Sequence, residues 1–160
     1  MTTVLVTGMS GTGKSTVLLE LARRGHRVVD TDSDEWSQWV VDATGAPDWV
    51  WREDRIARLL ATHADGVLYV AGCRTNQGRF YAQLDAVAVL VAPAAVLLDR
   101  IAHRTTNDYG KSAAQREKVL RDLSDVEPRL VASATAVVDA TLSLEAVADA
   151  LEAVAAQASR

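Results

Sequence analysis

Gly8-Met9-Ser10-Gly11-Thr12-Gly13-Lys14-Ser15 decides how this chain of 160 residues folds. The stretch matches the pattern G-x-x-x-x-G-K-[ST] at every fixed position. The β-branched, apolar run 3–7 before it predicts a strand, and the run 17–22 after it predicts a helix. A glycine-rich loop between a strand and a helix surrounds phosphate with backbone N–H groups and a helix N-terminus. The sequence therefore predicts that the chain binds a nucleoside triphosphate.

Each residue type in this loop suits a polyanion. The glycines tolerate positive φ and let the backbone approach a phosphate closely. Lys14 is expected to reach the β- and γ-phosphates, and Ser15 to place its hydroxyl on Mg²⁺. We therefore expect ATP and Mg²⁺ as cofactors. The nucleotide is predicted to contact eight residues of the loop and the helix start: Gly8, Ser10, Gly11, Thr12, Gly13, Lys14, Ser15 and Thr16.

Composition limits the function classes. The chain is 49% hydrophobic and 24% charged with a net charge of −4, which gives no basic surface for a nucleic acid polymer. The longest apolar run, near 86–98, is interrupted by Pro93 and is shorter than the roughly 20 residues that span a bilayer. The single cysteine, Cys73, fits a reducing compartment. We expect one cytoplasmic domain over residues 1–160, monomeric or homodimeric and without a membrane partner.

Short apolar runs alternate with helical periodicity, which is typical of a parallel sheet with crossover helices on both faces. The predicted fold class is therefore α/β with three layers. Two helical segments are predicted between 33 and 63, separated by a turn at 43–47, and a polar loop at 104–111 lies between two further helices. The remaining predictions are helices at 14–24 and 143–158 and strands at 3–7, 27–30, 66–71, 86–91 and 135–138.

Two aspartates, Asp30 and Asp32, follow the second predicted strand. Ligands of such sheets lie beyond the carboxyl ends of the strands, so both carboxylates should lie near the γ-phosphate. One can hold Mg²⁺ together with Ser15, and the other can orient or deprotonate an acceptor hydroxyl. The alternative is a helix N-cap, which fits Ser33 or Asp34 better.

The third predicted strand, 66–71, ends without an acid. A switch or motor ATPase would carry a metal-holding acid there, so its absence argues against that class and leaves Asp30 and Asp32 as the best metal candidates. The turn that follows contains Arg74, whose guanidinium could clamp an anionic acceptor or could simply be solvated. Arg52 could also bind an acceptor anion, with a surface ion pair as its alternative.

Basic residues surround the loop at 104–111. An arginine on a mobile loop can stack on adenine and neutralise charge on a transferred phosphoryl group, although basic residues at helix ends are also common. The residues concerned are Arg100, Arg104, Lys111 and Arg116.

Four tryptophans fall within sixteen residues. Trp36 and Trp39 are predicted to share a helical face, where they could stack on a planar acceptor or belong to the core. The same alternatives hold for Trp49 and Trp51.

The chain resembles the P-loop kinases of small molecules, the nucleoside monophosphate kinase and shikimate kinase group. Asp30-Thr31-Asp32 is similar to the D-[ST]-D motif of shikimate kinases, and Trp51-Arg52 resembles their Phe-Arg acceptor-binding pair. Arg100 matches the arginine that packs against adenine in that group. The resemblance implies a five-stranded parallel sheet in the order 2-3-1-4-5, an acceptor-binding region at about 33–63 and a lid at about 104–111.

The chain also departs from the shikimate kinases. Gly72-Cys73-Arg74 stands where they carry three glycines, and Tyr109-Gly110-Lys111 where they carry Arg-Pro-Leu, which argues against shikimate as the acceptor. Our leading hypothesis is an ATP-dependent kinase of a small molecule, with a nucleotide or nucleoside ahead of another hydroxylated metabolite. A switch ATPase with a protein partner and a non-catalytic nucleotide-binding module are the alternatives.

The hypothesis assigns a role to each candidate residue. Substrate binding is predicted for Asp32, Arg52 and Arg74, and metal binding for Ser15 and Asp30. Adenine is predicted to contact Arg100. The predicted catalytic residues are Lys14, Asp30, Asp32 and Arg104.

Overall fold

A parallel sheet of five strands forms the centre of the computed structural model, which describes residues 1–160. The chain has seven strands, β1 (Thr2–Gly8), β2 (Arg27–Asp30), β3 (Ser37–Val41), β4 (Pro47–Trp51), β5 (Val67–Ala71), β6 (Ala86–Val91) and β7 (Ala136–Asp139). The sheet has the order β2-β5-β1-β6-β7, and β3 and β4 form a separate hairpin. Counting only the strands of the sheet, the order is 2-3-1-4-5, which confirms the order that the resemblance implied.

Helices connect the strands and cover the sheet. They are α1 (Lys14–Arg23), α2 (Glu53–Thr62), α3 (Ala94–His103), α4 (Ala113–Asp125), α5 (Glu127–Ser133) and α6 (Leu144–Ala158), with a 3-10 helix at Gln77–Gln83. The predicted sheet strands and the predicted first and last helices agree with these bounds to within one residue. None of the helices combines the length and apolar composition that crossing a lipid bilayer requires.

The core lies on both faces of the sheet. Successive residues of β1 point to opposite faces. Val4 and Val6 therefore pack with Leu21 of α1 and Leu151 of α6, whereas Leu5 packs into a second cluster that includes Ile56 of α2. These two apolar layers account for the continuously apolar sequences of the central strands, and they confirm the three-layer α/β fold.

The first of the two helices predicted between 33 and 63 is wrong. Residues 37–51 instead form the antiparallel hairpin of β3 and β4, with Trp39 opposite Trp49. The turn at 43–47 lies largely within the hairpin connection, and only the second helix exists, as α2. Because β3 is a strand, Trp36 and Trp39 do not share a helical face.

Candidate active site

The loop between β1 and α1 presents donors to one side of the molecule. The N–H groups of Ser10, Gly11 and Gly13 donate to no acceptor within the chain. Gly8 has φ of +147°, and a Cβ there would lie 2.6 Å from the Leu90 carbonyl oxygen, so the loop can pack against β6 only with glycine. These free N–H groups at the start of α1 match the charge and shape of a phosphate chain.

Lys14 folds over the same loop. Its ammonium group donates to the carbonyl oxygens of Gly8 at 2.7 Å and Met9 at 3.0 Å. Burial lowers the pKa of the Lys14 amino group from its ordinary value, because a cation loses hydration there. An anion beside the loop would offset that loss, so the lysine is suited to bind one.

Asp30 lies beside the loop because β2 ends next to β5, with Asp30 opposite Ala71 in the register. The Ser15 hydroxyl donates to Asp30 Oδ2 at 2.6 Å, and the other oxygen of Asp30 accepts from the Asp32 N–H at 3.1 Å. A hydroxyl and a carboxylate at this distance are the hard oxygen ligands that Mg²⁺ prefers.

Asp32 lines the same cleft as the phosphate-binding loop. Its Oδ1 accepts from the Arg74 guanidinium at 2.8 Å and from the Trp49 indole N–H at 3.3 Å. Arg74 also donates to the Cys73 carbonyl oxygen, while its Nε is buried without a partner. Asp32 and Arg74 therefore form an ion pair at the end of β5.

Thr31 lies between the two aspartates and was not predicted as a site residue. Its side chain is fully buried, its hydroxyl donates to the Ala71 carbonyl oxygen at 2.7 Å, and it accepts from the Trp51 indole N–H at 2.8 Å. The Thr31 carbonyl oxygen accepts from the Ser37 hydroxyl at 2.6 Å. The middle residue of Asp-Thr-Asp thus ties both carboxylates to β5 and to the hairpin. The signal in the sequence that could have indicated this role was a hydroxyl residue between two acids.

These groups open into one cleft of about 1100 Å³. The range for a site that binds one drug-sized ligand is about 300–1,000 Å³, so the cleft has room for a nucleotide and a second small molecule. The predicted site residues that line it are Gly8, Ser10, Gly11, Thr12, Gly13, Lys14, Ser15, Thr16, Asp30, Asp32, Arg74, Arg100 and Arg104.

Arg100 and Arg104 reach the cleft from α3 and its end. Arg100 donates to the Ala140 carbonyl oxygen at 2.6 Å, and Arg104 donates to the Tyr109 carbonyl oxygen at 2.6 Å and to the Ser10 hydroxyl at 3.4 Å. Burial lowers the pKa of the Arg104 guanidinium. Arg104 thus joins the loop at 104–111 to the phosphate-binding loop.

Arg52 does not line the cleft. It lies immediately before α2, where its guanidinium donates to the Asp34 carbonyl oxygen at 2.9 Å and to Gln38 Oε1 at 3.2 Å. These bonds fasten the hairpin to the start of the helix. Lys111 and Arg116 also lie outside the cleft lining, to which α4 instead contributes Lys118.

The tryptophans divide between core and cleft. Trp51 is buried against Phe80, and Trp36 packs on the same apolar cluster. Trp39 and Trp49 line the cleft as a tilted pair with ring centroids 5.1 Å apart. The face of the hairpin that carries this pair is therefore turned towards the phosphate-binding loop.

Comparisons with known proteins agree with this architecture. The sequence model of the AAA domain family matches residues 4–122. A shikimate kinase from Bacteroides thetaiotaomicron has a TM-score of 0.66 and is 16% identical in sequence, with 95% of this chain and 97% of that chain covered. A gluconokinase from Sinorhizobium meliloti 1021 has a TM-score of 0.61 at 22% identity, with 99% and 94% covered.

A third similar structure is a deoxyadenosine kinase from M. mycoides with bound dATP, which has a TM-score of 0.61 at 12% identity and covers 96% of this chain and 98% of that chain. No curated protein matches the sequence. At such low identities these structures show the fold alone. The chain belongs to the AAA domain family and has the fold of the P-loop small-molecule kinases.

Proposed function

We propose that this protein is an ATP- and Mg²⁺-dependent phosphotransferase that moves the γ-phosphoryl group of ATP to a small acceptor, a nucleotide or nucleoside. One observation supports this most directly. The two carboxylates of Asp30 and Asp32 open into the same cleft as the phosphate-binding loop, one bonded to Ser15 and the other to Arg74. A catalyst of phosphoryl transfer needs one group for the metal and another for the acceptor.

The nucleotide side uses the loop and α3. The free N–H groups and Lys14 would hold the phosphates, and Ser15 with Asp30 would hold Mg²⁺. A metal ion held by these two residues would supply positive charge against the charge of the phosphates. Arg100 would contact adenine, and Arg104 would close the loop at 104–111 over the phosphates as a lid.

The acceptor side uses the end of β5. Arg74, which lines the cleft, would bind an anionic group of the acceptor through guanidinium N–H groups beside its bond to Asp32. Asp32 would orient the accepting group and take its proton if that group is a hydroxyl. Arg52 is left out of this assignment because its guanidinium is bonded to Asp34 and Gln38 outside the cleft.

The end of β5 also argues against a switch ATPase. Ala71 is followed by Gly72, and a Cβ on Gly72 would collide with the Thr31 hydroxyl, so no acid fits there without moving Thr31. Switch and motor ATPases usually carry a water-directing acid in that position. The cleft instead has a second wall, formed by the hairpin, which is what a second substrate requires.

Acceptor-dependent ATP turnover tests the proposal. The wild-type protein would be screened with nucleosides, nucleoside monophosphates, gluconate and other hydroxylated metabolites, with the phosphorylated product identified by mass spectrometry. We expect at least one acceptor to raise turnover, and Asp32→Asn to lower kcat by about 100-fold. Asp65→Asn, an exposed change just before β5, is the matched control and should retain activity.

Hydrolysis at the same rate with every acceptor would contradict the proposal, and so would an Asp32→Asn variant with full activity. A product from gluconate or another polyol alone would retain the phosphotransferase and exclude the nucleotide acceptor.

A further inference from the structure

The face of the hairpin that borders the cleft carries a chain of apolar side chains. Residues paired across an antiparallel ladder share a face. Trp39 is therefore on the same side as Trp49, and Val41 on the same side as Pro47. Trp39 is 67% exposed, although an indole of this size is normally buried against other apolar groups.

The opposite face of the hairpin is different in character. It carries Gln38, Val40, Asp48 and Val50, which border a small and mainly polar groove with Glu53, Asp54 and Arg79. None of these hairpin side chains is aromatic, whereas Trp39 and Trp49 line the cleft together with the phosphate-binding loop. Trp51 shares their face by register but is buried in the core, whereas Trp39 stays exposed in the cleft.

Polar groups beside Trp49 set the orientation of a ligand that lies against the hairpin. The Trp49 indole N–H donates to Asp32 Oδ1 at 3.3 Å, and the same oxygen accepts from Arg74 at 2.8 Å. A ligand whose ring lies on Trp39 can therefore present a hydroxyl or phosphate to Asp32 and Arg74. Both the ring and the polar group of such a ligand would then contact the protein.

We propose that Trp39, backed by Trp49, is the stacking platform that selects an acceptor with a flat aromatic heterocycle joined to a hydroxyl or phosphate group. The shared chemistry is that of a nucleoside and its monophosphate. This inference rests on the proposed function and deepens it, because it names the chemistry by which that site recognises its second substrate. Stacking of a base on an aromatic side chain contributes about 10- to 100-fold in affinity.

Binding measured without turnover tests the platform. Adenosine, thymidine, their 5′-monophosphates and gluconate would be titrated into protein already saturated with a non-hydrolysable ATP analogue and Mg²⁺. Dissociation constants would come from calorimetry, and stacking from quenching of tryptophan fluorescence. We expect one nucleoside or monophosphate to bind and to quench, with gluconate weaker and without effect on the fluorescence.

Three variants separate stacking from folding. Trp39→Ala should raise the dissociation constant by about 10-fold or more and remove most of the quenching. Trp39→Phe, which keeps a ring, should restore binding to within about 3-fold of wild type. Val40→Ala, on the opposite face of the same strand, is the matched control and should change neither quantity.

Comparison of the nucleosides with their monophosphates then shows whether Arg74 binds a hydroxyl or a phosphate group. Equal binding of the preferred ligand to wild type and Trp39→Ala would overturn the inference, as would binding of gluconate but of no nucleoside or monophosphate. In either case the proposed phosphotransferase activity would still stand if turnover depends on an acceptor and is lost in Asp32→Asn. Conversely, quenching through Trp39 without turnover of any acceptor would retain the platform and refute the proposed function.

Discussion

Replacing Thr31 with valine should uncouple the two aspartates from the sheet while keeping the shape of the side chain. Valine removes the hydroxyl that donates to the Ala71 carbonyl oxygen and accepts from the Trp51 indole. The Ala71 oxygen keeps a second donor, the Thr31 N–H at 3.0 Å, whereas the buried indole N–H loses its acceptor. The lost stability therefore comes mainly from the unpaired indole N–H of Trp51.

The magnitude follows from these two bonds. Loss of the hydroxyl donation costs about 1 kcal/mol, and an orphaned buried donor costs about 1–3 kcal/mol, so Thr31→Val should lose about 2–4 kcal/mol of unfolding free energy. For a chain of this size that corresponds to a Tm lower by roughly 5–15 °C. Thr31→Ser keeps both bonds and loses one methyl group, at a cost of about 1 kcal/mol.

Urea unfolding and a thermal scan of the two variants are the assay, together with acceptor-dependent turnover. Thr31→Val should also lower kcat at permissive temperature, because Asp30 and Asp32 flank the altered residue. A Thr31→Val protein within about 0.5 kcal/mol of wild type would refute the positioning role, since that is the range of changes without a structural mechanism. A Thr31→Ser variant as unstable as Thr31→Val would refute it as well.

Three further changes probe the metal site, the loop and the acid stability. Asp30→Asn should lower kcat by about 100-fold and raise the Mg²⁺ concentration needed for half-maximal turnover. A metal titration would measure this concentration, and an unaltered titration would contradict the metal assignment. Gly8→Ala should cost about 1–3 kcal/mol in urea unfolding, and more than Gly66→Ala, whose Cβ meets nothing within 4 Å; equal costs would rule out the clash with Leu90. Hydrogen bonds from Arg23 and Arg24 lower the pKa of Glu20 to about 2 from 4.5. Its stabilising effect is therefore complete above about pH 4.5 and is lost as the pH falls towards 2, so Glu20→Gln should flatten the pH dependence of stability in that window. An unchanged acid unfolding curve would contradict this.

The phosphate-binding loop and the sheet could be predicted because their signals are local. Glycine at fixed spacing, Lys14 and Ser15 lie within eight residues, and continuously apolar strands can be buried only between two layers. Asp30 and Asp32 could be predicted as well, because they follow a strand whose carboxyl end must face the loop in a parallel sheet. Ser15 was predicted beside Asp30, whereas the ion pair of Arg74 with Asp32 was not predicted, because no local pattern links two residues that are 42 positions apart.

The hairpin was missed because its stabilising contacts are distant in sequence. An isolated two-stranded hairpin is marginal in water. This one is held by Asn76, which bonds the backbone N–H and carbonyl oxygen of Trp51, and by Thr75, which donates to Asp48 at 2.5 Å. The spacing of Trp36 and Trp39 favoured a helix, and the alternation of Trp49 with Trp51 was the local signal for a strand.

Arg52 illustrates the limit of transferring a role from a resembling motif. Trp51-Arg52 matches the motif in sequence, but a strand precedes the arginine here, and its guanidinium bonds Asp34 and Gln38 beside the hairpin. Trp51 likewise became a core residue that supports Thr31. The same two residue types therefore hold the hairpin beside the cleft without lining the cleft.

The fate of the γ-phosphoryl group tests the central claim most directly. ATP turnover in water enriched in oxygen-18, with the preferred acceptor present, should give a phosphorylated acceptor free of solvent oxygen and little inorganic phosphate. The Asp32→Asn variant should give neither product at the wild-type rate. Inorganic phosphate carrying one solvent oxygen as the sole product, whatever acceptor is supplied, would contradict the account.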